Sequence, residues 1–209
     1  MNKPFWLVAI ILAAEIFIVL IFVPGNWTEN VVQKESRMVQ ETMGGSSSEW
    51  ISAKAMGWYT ATMVDSGAYR SMYRFIIPNK VERQSSRGME ELGASIWPWA
   101  EKRLYSLMQV AYQICARIAL LAVWAPYMLV MLIPAVIHGW LRWKIKRTNF
   151  DYASPVIHRY GARGILLAVQ LLLILFVAPI ALYPLIIPFG MIVVAIMFGL
   201  AIGNIQKRI

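Results

Sequence analysis

Residues 138–163 read HGWLRWKIKRTNFDYASPVIHRYGAR. The stretch holds six basic residues, Arg142, Lys144, Lys146, Arg147, Arg159 and Arg163, against one acid, Asp151. An apolar run long enough to cross a bilayer lies on either side, at 118–137 and at 164–203. Cations resist translocation, so a basic segment between two spans is held on the cytoplasmic side. That placement orders the rest of the chain. Trp140 and Trp143 share a helix face at the interface, while Arg142, Lys144, Lys146 and Arg147 reach toward water, anionic lipid or an acidic partner.

Toward the C-terminus, the run 164–203 is forty residues long, with Gln170 its main polar interruption. About 20 helical residues cross a membrane, so the run must fold back on itself. Tyr183-Pro184, flanked by Pro179 and Pro188, is the expected turn. It gives spans at 165–182 and 185–203 with a very short outer loop. Gly199 and Gly203 are spaced to let another helix approach closely, in this chain or in a second copy.

Toward the N-terminus, the span 118–137 carries Pro126 and Pro134, which are expected to kink it, and residues 104–117 extend it outward. One unbroken helix from Trp97 to His138 is compatible with the same pattern. The polar segment 25–103 is expected to be helical and periplasmic. Thr28 is its first expected N-cap, and Ser46 with Glu49 has the spacing of a capping box. A helix over 82–96 precedes Pro98, which suits the first turn of another. Trp50, Met56, Tyr59, Met63 and Tyr73 form an aromatic and methionine stripe. It is either the seam of a helical hairpin or a surface for a partner. Residues 5–23 are apolar except for Glu15 and read as an uncleaved signal anchor, with Trp6 and Trp27 at the two interfaces.

Composition agrees with a membrane protein: 59% hydrophobic, 15% charged and a mean hydropathy of +0.56, against about 25% charged in soluble domains. The net charge of +9 does not imply nucleic acid, because segment 24–104 carries ten bases and nine acids and is nearly neutral. Its surplus lies in the chain ends and the central loop, where membrane orientation explains it. Lone Cys115 makes no intrachain disulfide. His138 and His158, twenty residues apart without cysteines nearby, do not have zinc-ligand spacing. No phosphate loop, His-Glu-x-x-His motif or paired intramembrane carboxylate is present. No catalytic, cofactor or metal site is therefore expected. Glu15 and Arg117 are the ionisable groups within or beside spans. Arg117 is expected to snorkel to headgroups. Glu15 is expected to be neutral or hydrogen-bonded to another helix, with Gln170 and Tyr127 as candidates.

Gly139-x-x-Arg142-x-Lys144-Ile145-Lys146-Arg147, followed by Phe150 and Ser154-Pro155-x-x-x-His158-Arg159, resembles a family of bacterial membrane proteins. That family belongs to integrating conjugative elements and conjugative plasmids. Its pattern has an acid before the loop glycine, where this chain has His138. The resemblance implies an inner-membrane component encoded near the type IV coupling ATPase. Such a protein would assist DNA transfer as a scaffold or partner of that ATPase, without catalysis of its own.

The reading is an all-α polytopic membrane protein with four transmembrane helices and both termini cytoplasmic. Its parts are a first span (1–24), a periplasmic helical segment (25–103), a helix continuing into the second span (104–137), a basic cytoplasmic loop (138–163) and a helical hairpin with a short tail (164–209). Expected partners are membrane lipids and the coupling ATPase or another conjugation subunit, with a homo-oligomer open and direct nucleic-acid binding not expected. Two other classes fit the same layout. An entry-exclusion or surface-sensing protein would use the periplasmic stripe, and a small transporter would use Glu15.

Overall fold

The computed structural model describes residues 3–23, 25–77, 90–149 and 154–205, apart from side chains at 3–5, 7, 8, 19–22, 25 and 90–95. These residues form α1 (Lys3–Phe22), α2 (Gly25–Met43), α3 (Gly45–Tyr59), a π-helical turn (Thr60–Asp65), α4 (Ala68–Ile76), α5 (Glu90–Thr148), α6 (Pro155–Val177) and α7 (Ile186–Gly203). Among the described residues there is no strand. The all-α expectation holds.

Among the described residues, three helical stretches are long and apolar enough to cross a membrane, Ile96–Thr148, Pro155–Val177 and Ile186–Gly203, where four spans were expected. The first expected span is not among them. Within α1 the apolar stretch is Ala9–Ile18 among the described side chains. Large apolar side chains on the three long stretches point outward, including Val130 at 72% exposure and Leu167 at 63%. Such exposure suits contact with lipid.

The chain divides into two units, residues 1–119 with 176–183 and residues 120–175 with 184–209. In the first, α2 buries Thr28, Val31, Glu35 and Val39, one face at helical spacing. This face runs parallel to α5. Arg103 and Ser106 donate to the carbonyl of Val23, and further along Gln113 and Arg117 donate to Glu35. A second face of α5 presents Leu104 and Met108 to Ile77, with Tyr59, Ile76 and Leu107 packed around them.

Several local expectations change. Helix α2 starts at Gly25, so Thr28 lies inside it, fully buried. No capping box forms, because Gly44 occupies the N-cap of α3 without a side-chain bond and its carbonyl accepts from the Ser48 N–H. Helix α3 does not run on unbroken into α4. Thr60 and Thr62 hydroxyls donate back to the carbonyls of Met56 and Trp58, competing with the backbone ladder where the π turn forms. Gly67 then takes a left-handed φ of 75° before α4. Residues 82–89 of the expected third helix lie outside the described residues. Pro98 does not open a new helix, since α5 continues through Pro98, Pro126 and Pro134 to Thr148.

The second unit holds the end of α5 with α6 and α7. Gly199 approaches Ala135, Gly203 approaches Gly139 and Arg142, and Lys146 reaches Asn204, so α5 and α7 run parallel. Gly161 lies on Ala201, Gly164 on Met197 and Gly190 near Leu172, so α6 is antiparallel to α7. The expected basic loop is mostly helix. Residues 138–148 complete α5, and α6 begins at Pro155 with the Ser154 hydroxyl accepting from the Ile157 N–H. Serine at the cap and proline in the first turn are strong helix starts. The expected tight turn at Tyr183-Pro184 is also wider, since α6 ends at Val177 and α7 begins at Ile186.

Two glycines should respond oppositely to alanine. A Cβ on Gly139 would sit 2.7 Å from the Gly199 carbonyl oxygen, whereas one on Gly57 meets open space. Gly139→Ala should lower stability by about 1–3 kcal/mol, and Gly57→Ala should raise it by about 0.5–1 kcal/mol. Thermal unfolding of the detergent-solubilised protein reads both.

Candidate functional site

Arg117 is buried in the first unit with 1% exposure. Its Nε donates to Glu35 Oε1 at 2.9 Å and its Nη2 to Glu35 Oε2 at 2.9 Å. Nη1 donates to the carbonyls of Phe176 and Ala178, each at 3.0 Å, and Nη2 also donates to that of Ile180. These five bonds match the five N–H donors of a guanidinium. Gln113 Nε2 joins the cluster, donating to Glu35 Oε2 at 2.7 Å and to the Ile180 carbonyl at 3.3 Å. Carbonyls at a helix C-terminus have no intrahelical donor, so Arg117 caps the end of α6. It holds residues 176–180 as a strap, and the Trp27 indole N–H adds a bond to the Pro179 carbonyl.

This overturns the expectation that Arg117 snorkels. Burial of a cation becomes tolerable when an anion and further acceptors surround it, and Glu35 with three carbonyls does so here. Glu35 was missed because it falls in the polar segment. Its sequence signal is an acid at the centre of an apolar stripe, four residues from Val31 and four from Val39. Glu15 Oε2 is buried with no hydrogen-bond partner among the described residues. Gln170 is half-buried on α6, and Tyr127 is exposed with an edge contact to Trp124.

The aromatic stripe divides. Tyr59 packs against the Ile77, Leu104 and Met108 cluster and meets Tyr112 edge-on at 6.1 Å. Tyr73 donates to Glu101 at 3.3 Å, and Met63 lies half-buried in the π turn. Trp50 points outward with the Lys54 ammonium 5.8 Å from its ring. Tyr59 and Tyr73 line a cleft of about 580 Å³ with Tyr69, Tyr105 and Tyr112, and Glu101 at one side. Burial pushes the Tyr59 phenol above its ordinary range, with Tyr69, Cys115 and Tyr105 adding to the effect.

The basic residues gather at the other unit's helix ends. The Lys144 ammonium lies 4.4 Å from the Trp140 ring and the Arg147 guanidinium 5.1 Å from that of Trp143. Both are cation–π pairs one helical turn apart. Lys146 donates to Asn204 Oδ1 at 2.8 Å, and His158 Nδ1 lies 2.7 Å from the Ala201 carbonyl oxygen. Arg159 and Arg163 are exposed on α6. Gly199 and Gly203 both face α5 of the same chain. Among the described residues, no group of three His, Cys, Asp or Glu side chains converges as a metal site would require.

Among the described residues, fold and sites together define an all-helical protein with three membrane-length apolar helices, an internal ion pair and a cationic helix end. The chain belongs to the DtrJ-like family, described as IncC plasmid conjugative DNA transfer protein DtrJ-like, which matches residues 22–208. Its role is thus in conjugative DNA transfer, as the resemblance in the basic stretch implies. Neither the curated proteins nor the solved structures contain a match.

Removing one member of the buried pair strands the other. Glu35→Leu and Arg117→Leu should each cost about 3–5 kcal/mol in stability. The double replacement should cost clearly less than the sum, because the pair is lost as a unit. Denaturation of the four proteins in detergent measures this, and additive losses would show that the two residues are not coupled.

Proposed function

We propose that the protein is a non-catalytic inner-membrane accessory subunit of a conjugative type IV secretion system that docks the coupling ATPase. In this reading the basic helix end lies in the cytoplasm and residues 25–103 in the periplasm. The observation that carries the proposal is the exposure of the cations Lys144 and Arg147 near the end of α5 and Arg159 near the start of α6, in a chain whose family acts in conjugative DNA transfer. Two of these cations are fixed over indole rings, so less side-chain freedom is lost when a partner binds. Charge complementarity steers encounter and fixes register, which suits a scaffold that must hold an ATPase in one orientation.

The tyrosine cleft favours a second reading, recognition of an incoming partner by the polar segment. It predicts an effect in recipients, whereas docking predicts one in donors.

Lys144→Glu, Arg147→Glu and Arg159→Glu together should lower transfer from a donor by on the order of 100-fold, like charge now facing like. The same change should abolish co-purification of the coupling ATPase in mild detergent, with the membrane level of the protein unchanged. Transfer at the parental frequency would overturn the docking reading.

A further inference from the structure

A groove of about 290 Å³ lies between α5 and α7 within the second unit. His138, Arg142 and Lys146 form one wall, recurring every four residues and so sharing one face of α5. Gly199 and Gly203 line the facing wall. Among the described residues, no carboxylate lines the groove. Lys146 is tethered to Asn204 at 2.8 Å, but Arg142 makes no hydrogen bond or ion pair among the described residues. The groove thus presents an unengaged planar fork of donors beside a second, fixed cation.

The opposite end has different chemistry. There the lining is Ala135, Ala195 and Ile196, with Leu200 between the two ends. Ile196 and Leu200 are 55% and 37% exposed, and both belong to a helix of membrane-spanning length and hydropathy. A free anion needs only the cationic end. An acidic protein segment would have to enter the depth of the bilayer to reach the other. A phospholipid has both parts in this order.

We propose that this groove binds an anionic glycerophospholipid. The phosphodiester lies between Arg142 and Lys146, with Arg142 donating in the two-pronged geometry that guanidinium and phosphate share. Acyl chains run along Ile196 and Leu200. The volume admits the headgroup phosphate and the first chain carbons, and the rest of the lipid remains in the bilayer. The site goes beyond the docking reading, which assigns the exposed cations Lys144, Arg147 and Arg159 to a protein.

Native mass spectrometry of the full chain in detergent tests it, with phosphatidylglycerol and phosphatidylcholine of matched chains as probes. One phosphatidylglycerol per chain should bind at least about tenfold more tightly than phosphatidylcholine, a ratio within reach of two charge-assisted contacts. Arg142→Gln with Lys146→Gln should lose that preference, while Lys144→Gln with Arg147→Gln, an equal loss of charge outside the groove, should keep it. Arg142→Lys, which keeps the charge but not the fork, should fall between. Equal binding of both lipids, or equal loss in both double variants, would overturn the proposal. So would displacement of the lipid by millimolar inorganic phosphate, which would mark a site for a free anion. A thermal unfolding curve for each variant separates lost binding from lost folding. Because the docking reading rests on Lys144, Arg147 and Arg159, all outside the groove, failure of one proposal leaves the other standing.

Discussion

One guanidinium organises the first unit. Arg117 joins three elements distant in sequence: its own helix α5, α2 through Glu35, and the strap of carbonyls at residues 176, 178 and 180. A buried ion pair is seldom a large net source of stability, because desolvating both charges offsets most of their attraction. Its value lies in intolerance of alternatives. A different register of α2, or a strap displaced by one residue, would leave a charge or a carbonyl unsatisfied in a dry site, at a cost of a few kcal/mol. The pair therefore specifies which faces meet more than it strengthens the meeting.

The second unit is held differently. Its helices have little polar side-chain contact with one another, and lipid tails are as apolar as the side chains, so burial alone gives no driving force. Close approach does the work. Gly139, Gly199 and Gly203 let α5 and α7 come near backbone to backbone, and Gly161 does the same for α6 against Ala201. Among the described residues, polar ties between them appear where the helices end, at Lys146 with Asn204 and His158 with the Ala201 carbonyl.

Those two modes of packing explain what could be read in advance. Hydropathy along a segment depends only on the segment, so the helical class and the long apolar runs after residue 96 were visible. The conjugation family was visible in the basic stretch around Arg142, because its residues are local. The role of Arg117 was not. Its environment depends on an acid 82 residues away and on carbonyls 59 to 63 residues ahead, and a window over the chain treats each as an isolated polar residue. The prolines at 179, 184 and 188 signalled a reversal, but not that the reversal would be broad enough to lay carbonyls on another helix. The π turn at Thr60–Asp65 arises from hydroxyls that choose a backbone acceptor only once the helix exists.

The strap has a consequence for biogenesis. Residues 176–183 belong with the first unit, yet they leave the ribosome after most of the second has been made. Until they arrive, Arg117 and Glu35 have each other but lack the carbonyls that complete their shell, and water must supply those bonds. The N-terminal part of the molecule therefore cannot reach its final packing while the chain is still growing through α6. Closing so long a loop costs little in equilibrium terms, since the entropy rises only logarithmically with length, but it fixes the order of events. Insertion of the last hairpin is the step that seals a site whose guanidinium was made 59 residues before the first of its carbonyls.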